Sequence, residues 1–419
     1  MNKTGKTQND ALSPGYASKG FLIPVALASL ILLITMGIRQ TVGLFVHPIV
    51  ETTAMGIAEV SLAFATGQLV WGAFQPLFGA WADKKGPFPV LLTGAILLAC
   101  GQLLTIWATS FLPLALTQGL LSPAGAAAGS FSLLIGIVAA RLPPDKSSVA
   151  SGLISAGNSM GQFSFALIVQ ALINLRGYTT GLIFLAASSL ASIIPAWFLC
   201  GEKNAIQAAR PAIHNKENTV GLKQQLRIAA RTPSYLLLHA GFFTCSFHVA
   251  FLVTHLPGEI SLCGHAASVS AMSISLIGLC NIAGSIFAGI LGKHFRMKYI
   301  LAALYAFRAL MIAVYLFSPK TETTFYIFAV TTGLTWLATV PPTAGIVGKL
   351  FGTRYLATLF GFTLLTHQIG GFLGAWFGGL AMQQSGNLLW VWYLDVALAL
   401  FAAVVNLPIR EEKTRTQAI

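Results

Sequence analysis

Twelve apolar runs, separated by short charged or turn-forming segments, constrain this chain more than any other feature. They lie near residues 21–46, 58–80, 88–108, 111–140, 148–174, 179–200, 234–256, 266–291, 298–317, 324–348, 355–383 and 388–408. A helix that crosses the hydrocarbon of a bilayer needs about 20 predominantly apolar residues. The runs are long enough, and they do not alternate apolar and polar positions as barrel strands of about ten residues would. The fold class this predicts is an all-α membrane protein of twelve transmembrane helices. Composition agrees, because 55% of the 419 residues are apolar and 9% charged, where a soluble domain carries about 25% charged residues. A soluble enzyme is thereby excluded. Cys100, Cys200, Cys245, Cys263 and Cys280 are scattered, with no CxxC and no His/Cys cluster, so they read as small core residues and no metal or cofactor is expected. The chain is polar as far as Gly20 and apolar from Phe21, with no A-x-A-like cleavage site following. That pattern reads as a retained first span rather than a leader.

The net charge of +13 is explained by where the cations sit. Of the 25 Lys and Arg, 21 fall in the tails and in the loops on the termini side, whereas the opposite loops hold only Arg176 and Lys320. Arg39 and Arg308 fall inside spans. Positive residues are retained on the cytoplasmic side, so both termini are expected there and a nucleic-acid partner loses its motivation. The longest polar interruption divides the chain into a tail 1–20, a six-helix bundle 21–200, a linker 201–232, a second six-helix bundle 233–408 and a tail 409–419. The two bundles repeat one another. Gly79-x-x-x-Asp83 matches Gly289-x-x-x-Lys293 at an offset of 210, and Gly152, Asn158 and Gly161 match Gly361, His367 and Gly370 at 209. Parallel repeats around a site near the bilayer midplane are a recurrent design of secondary transporters.

The segment Gly79-Ala-Trp-Ala-Asp83-Lys84-Lys85-Gly86-Pro87 resembles the signature loop of the major facilitator superfamily. The runs Tyr299–Phe317 and Leu356–Trp376 are similar to those of bacterial carriers related to the monocarboxylate transporters. The resemblance covers nearly the whole chain. It implies two pseudo-symmetric six-helix bundles, alternating access and a bacterial inner (plasma) membrane location. It also implies a gating role for Asp83 and Lys84, with Asp83 steadying the outward-open state through a helix N-terminus or a basic neighbour. Two departures stand out. The second loop copy has Lys293 for Asp and Arg296 near the expected Gly, and the eighth run has no charged residue where animal monocarboxylate carriers use Asp and Arg. Arg39 falls where that family has a Lys.

Ionisable residues inside spans point to function, because an Arg at the bilayer centre costs at least about 2.5–3.5 kcal/mol. Arg39 offers paired donors that fit a carboxylate or other oxyanion. The competing reading pairs it with Glu59, near the start of the second span, or has it snorkel outward. Arg308 and Asp395 sit at comparable depth on the ninth and twelfth spans, which are peripheral in this superfamily, so a structural charge pair is expected; a proton-coupling Asp395 is the rival. His239, His248 and His255 lie on span seven and His367 on span eleven. His248 and His367 are candidate substrate or proton sites, since histidine titrates most readily near neutral pH. Asn158 is the repeat mate of His367, and Gln118 and Trp336 complete the candidate substrate-contacting set. Glycines four apart, at Gly125 and Gly129, Gly157 and Gly161, and Gly370, Gly374 and Gly378, allow close helix packing, and Pro123, Pro341 and Pro342 supply kinks. Gly5-Lys6-Thr7 lacks the upstream glycine and strand of a phosphate loop, so ATP-driven transport is not expected.

The expected function is secondary active transport of a small organic anion, monocarboxylate-like, driven by protons or by exchange and carried out by a monomer in the lipid bilayer. The alternative is an efflux carrier for hydrophobic drugs or metabolites. A non-transporting sensor would call for a larger cytoplasmic domain, and no HExxH, GxSxG or paired catalytic carboxylates suggest an enzyme.

Overall fold

The computed structural model describes residues 14–139, 144–201, 221–352 and 355–412; the side chains of 14–21, 83, 139, 144–149, 293 and 357 lie outside that description. All regular structure in it is helical. Span one is Pro14–Gln40, a turn at 41–42, and Gly43–Thr52; span two is Ile57–Lys85 and span three Pro87–Thr105. Span four strings together Phe111–Leu114, a π-helical turn Ala115–Leu121, Ser122–Ala128 and Phe131–Ala139. Span five is Pro144–Arg176, and span six is Tyr178–Ala191 with Ile193–Cys200. A short helix Leu222–Ala230 lies inside the expected linker, of which 202–220 fall outside the described residues. Spans seven to nine are Pro233–Leu262, Ala267–His294 and Met297–Phe317; span ten is Glu322–Thr335 and Val340–Phe351; spans eleven and twelve are Leu356–Ser385 and Leu389–Asn406.

Among the described residues, ten helical stretches are long and apolar enough to cross a membrane, and spans five and eleven are the two that fall short. Their sequences explain it. Span five is rich in Gly, Ser, Asn and Gln and span eleven in Gly, Thr and Gln, residues that suit contact with other helices better than contact with lipid. A side chain at Gly161 would overlap the Leu33 carbonyl of span one, and one at Gly370 would overlap the Phe243 carbonyl of span seven. These contacts are repeat mates. The same holds for Gly37 against Phe165 and Gly374 against Phe247. It holds again where Thr35 Oγ1 donates to the Gly129 carbonyl at 3.0 Å and Cys245 Sγ meets Thr339 Oγ1 at 3.2 Å. Two bundles are therefore built to one plan, with span five on span one and span eleven on span seven.

Prolines set the irregular points. Pro123 follows the π-helical turn and Pro341 and Pro342 follow the break at 336–339, each in the first turn of the next helical piece, where a missing N–H is tolerated. The bundles meet through spans two and eleven and through spans five and eight. Ser61 fills the flat of Gly379, Gln68 faces Gly371, and Gln368 covers Gly72. Ser275 Oγ donates to the Phe163 carbonyl at 2.9 Å, and Asn281 Nδ2 donates to Ser159 Oγ at 2.8 Å. Toward the termini the same four helices part, and among the described residues Gly79, Gly152, Gly289 and Gly361 have nothing within 4 Å of the space a Cβ would take. Among the described residues the bundles are thus in contact on the side away from the termini and apart on the termini side.

Gly161→Val and Gly370→Val should each lower stability by about 1–3 kcal/mol or prevent assembly, because a side chain there forces two backbones apart. Gly152→Ala and Gly361→Ala, at open positions on the same helices, should leave the thermal unfolding temperature of the purified protein unchanged.

Candidate substrate site

Arg39 closes the last turn of Pro14–Gln40, just before the break at 41–42, where a cation faces the free carbonyls of a helix C-terminus. Its guanidinium donates to Gln68 Oε1 and lies 4.1 Å over the Trp71 ring. Gln68 and Trp71 are three apart and share one face of span two. That face is where span two meets span eleven, with Gly371 beside Gln68 and Gln368 against Gly72. On span eleven the Gln368 amide lies 2.9 Å from His367 Nδ1, and the His367 ring packs on Phe242 at 4.4 Å. With the amide donating to Nδ1, the imidazole carries its proton on Nε2.

The arrangement is a junction of donors. Trp71 Nε1 and His367 Nε2 are buried and have no hydrogen-bond partner among the described residues. His367 lies within electrostatic reach of Arg39. No described carboxylate comes within ion-pairing distance of Arg39. Glu59, the alternative partner, instead accepts from the Gly56 backbone N–H at 2.9 Å and caps its own helix. A half-buried guanidinium with only an amide and an indole for company retains donors for an anion.

The other candidates are dispersed. Asn158 is buried on span five beside Ser159 and makes no hydrogen bond among the described residues. Gln118 sits in the π-helical turn, where its amide donates to Thr105 Oγ1 at 2.8 Å and approaches Gln102 Oε1 at 3.4 Å, inside the first bundle. His239 meets Thr366 Oγ1 at 2.7 Å and His255 donates to the Ala375 carbonyl at 2.7 Å, so both tie span seven to span eleven. Lys84 is exposed, and the Asp83 side chain lies outside the described residues.

The direct Arg308–Asp395 pair expected from their depth is not formed. Asp395 Oδ2 is taken by His248 Nδ1 at 2.5 Å, with both side chains fully buried. Arg308 donates to the carbonyls of Thr335 at 2.5 Å and Trp336 at 3.3 Å. The physical reason is the break in span ten. The Val340 N–H turns back to Leu337, and Pro341 and Pro342 carry no N–H, so carbonyls at the end of Glu322–Thr335 are free to take a cation. Trp336 is fully buried, with its ring edge-on to His248 at 6.1 Å. It belongs to the interior of the second bundle. Gln68, Trp71 and Gln368 carried no signal of their own in the sequence, beyond polar or amphipathic groups at helical spacing in an otherwise apolar run.

Twelve helices in two like bundles, with a cation held where they meet, define a membrane carrier. Residues 28–375 match the Major Facilitator Superfamily, and the chain belongs to that family. It is 27% identical over 367 residues to monocarboxylate transporter 13 of Rattus norvegicus, covering 84% of this chain and 80% of that protein. It is 24% identical over 383 residues to the oxalate:formate antiporter of Oxalobacter formigenes, covering 90% and 88%. Its fold superposes on the crystal structure of a D-xylose–proton symporter with a TM-score of 0.74 at 10% identity, covering 94% of this chain and 100% of that one.

Arg308→Met should destabilise the protein by about 3 kcal/mol or more, since it leaves two carbonyls of span ten buried without their donor. Thermal unfolding of the purified variant in detergent would show this as a lowered midpoint.

Proposed function

We propose that this transporter moves a small organic anion, monocarboxylate-like, by alternating access, with the driving force a proton gradient or exchange for a second anion. The observation that carries the reading is Arg39: a half-buried guanidinium at the junction of the bundles, with neutral partners only. A carboxylate there would take two parallel N–H···O bonds from Arg39, and the Trp71 and His367 ring N–H groups are further donors at the same junction. The names of two relatives, a monocarboxylate transporter and an oxalate:formate antiporter, support a carboxylate as cargo. Site contacts are assigned to Arg39 and His367; Asn158, Gln118, His248 and Trp336 lie apart from this junction and are not assigned to the cargo. The working unit is one chain in the inner membrane of a bacterium, with both termini in the cytoplasm and Asp83 and Lys84 forming the gate at the end of span two.

Uptake of a panel of labelled carboxylates into proteoliposomes tests this. Arg39→Ala should lower flux by about 10–100-fold, the worth of one or two charge-assisted hydrogen bonds. Arg39→Lys should recover part of it, because it keeps the charge and loses the fork. Carboxylate flux indifferent to Arg39, alongside export of apolar compounds, would replace this reading with the efflux carrier. Asp83→Asn should slow turnover while leaving the amount of protein in the membrane unchanged, which western blotting beside the uptake assay would check.

A further inference from the structure

A second polar cluster lies inside the second bundle, apart from the anion junction. His248 on span seven and Asp395 on span twelve are in contact at 2.5 Å with no exposure on either side chain. An ionised carboxylate only accepts, so Nδ1 of His248 donates to Asp395 and the Nε2 lone pair is left over. Nε2 has no partner among the described residues, nor has Asp395 Oδ1, although both are buried. A buried acceptor with nothing to accept is costly in a static scaffold, and a pair of apolar residues would hold spans seven and twelve together as well.

The groups facing this pair fix its charge balance. Span nine contributes Arg308 and Tyr305, the guanidinium lying 5.6 Å from the Tyr305 ring centre. Span seven adds Cys245, one turn before His248, and span ten adds the Trp336 ring and Thr339. His367 of span eleven is within electrostatic reach of Arg308 as well as Arg39. Residues 267–292 of span eight include no charged side chain and no histidine. One cation and one anion cancel, which leaves neutral His248 as the group able to change the net charge by one. It does so by taking a proton on Nε2 while Asp395 stays ionised beside it.

We propose that the His248–Asp395 pair is the proton-binding site of this carrier, taking up one proton on His248 Nε2 as an anion occupies the junction at Arg39. This rests on the reading of anion transport coupled to protons. A proton here adds one positive charge to the second bundle, an anion at Arg39 adds one negative charge beside it, and each favours the other through the arginine–His367 junction. Loaded with both, the interior carries the same net charge as when empty. Arg308 is then a positioning residue, bound to the carbonyls of span ten within electrostatic reach of His248.

Trp336 gives a direct readout, because a protonated imidazole beside an indole quenches its fluorescence and a neutral one does so far less. The purified full chain in detergent should show a reversible one-proton quenching step as the pH is lowered. The step should vanish in Trp336→Phe and His248→Gln, and should be displaced in Asp395→Asn. His248→Gln keeps a donor to Asp395, so it serves where Asp395→Asn fails to give monodisperse protein. In proteoliposomes, His248→Gln should lose about tenfold or more of carboxylate uptake driven by a pH gradient while retaining carboxylate counterflow. No quenching step sensitive to His248, or gradient-driven uptake that survives His248→Gln, overturns the proposal. If wild-type protein carries no carboxylate, the anion reading falls and the fluorescence titration alone decides the proton site.

Discussion

Inside a bilayer every backbone polar group and every charge must find its partner within the protein, and that requirement shapes this chain throughout. It makes the spans helical. It also limits where a helix can break, because each break frees carbonyls that water cannot reach. Span ten breaks at 336–339, and the exposed carbonyls of Thr335 and Trp336 are taken by Arg308. Span one breaks at 41–42 with Arg39 in the turn before it. The two arginines, one half-buried and one fully buried, answer the same constraint differently. Arg308 gives one nitrogen, Nη2, to backbone carbonyls and leaves Nε and Nη1 buried without a partner among the described residues, whereas Arg39 meets one amide and one indole at the junction of the bundles.

The duplication supplies a frame and the departures from it supply the chemistry. Spans one and five and spans seven and eleven cross through matched glycines, Gly161 on Leu33 and Gly370 on Phe243, so the two bundles approach their partners identically. The ionisable residues do not repeat. Arg39 corresponds to Val249, and Asp395 corresponds to Ala186. The first bundle thus presents a cation at the junction, and the second bundle buries an imidazole, a carboxylate and a guanidinium. Rocking of one bundle on the other, from a state closed away from the termini, would move one set past the other as units. Glycine faces rather than side-chain interlocks at spans two and eleven suit such sliding.

Much of the fold was legible in the sequence because hydropathy and the 209–210 offset both survive averaging over a helix. Twelve apolar runs correspond to the spans, and Gly161 and Gly370, paired by offset alone, occupy equivalent contacts. The helix breaks were less legible, since 41–42 and 336–339 lie in runs as apolar as their surroundings; only Pro341 and Pro342 marked the second. Side-chain partners were largely illegible. In helices apolar on all sides the hydrophobic pattern does not say which face turns inward, so Gln68 and Trp71 were not distinguishable from their neighbours. The pairing of Arg308 with Asp395 was inferred from depth, and depth says nothing of carbonyls freed by a break in a third helix. His248, placed by sequence among candidate sites, takes Asp395 instead.

The central claim is that the junction at Arg39 binds an anion rather than an apolar body. The most direct measurement compares lactate with lactamide, and oxalate with oxamide, as stabilisers of the purified protein in detergent. Each pair is matched in size and differs in charge, and a ligand that binds the folded state raises its unfolding temperature with concentration. Saturable stabilisation by one or both carboxylates, absent for their amides and lost in Arg39→Ala, is the predicted result. Equal stabilisation by acid and amide, or stabilisation that survives Arg39→Ala, would contradict it.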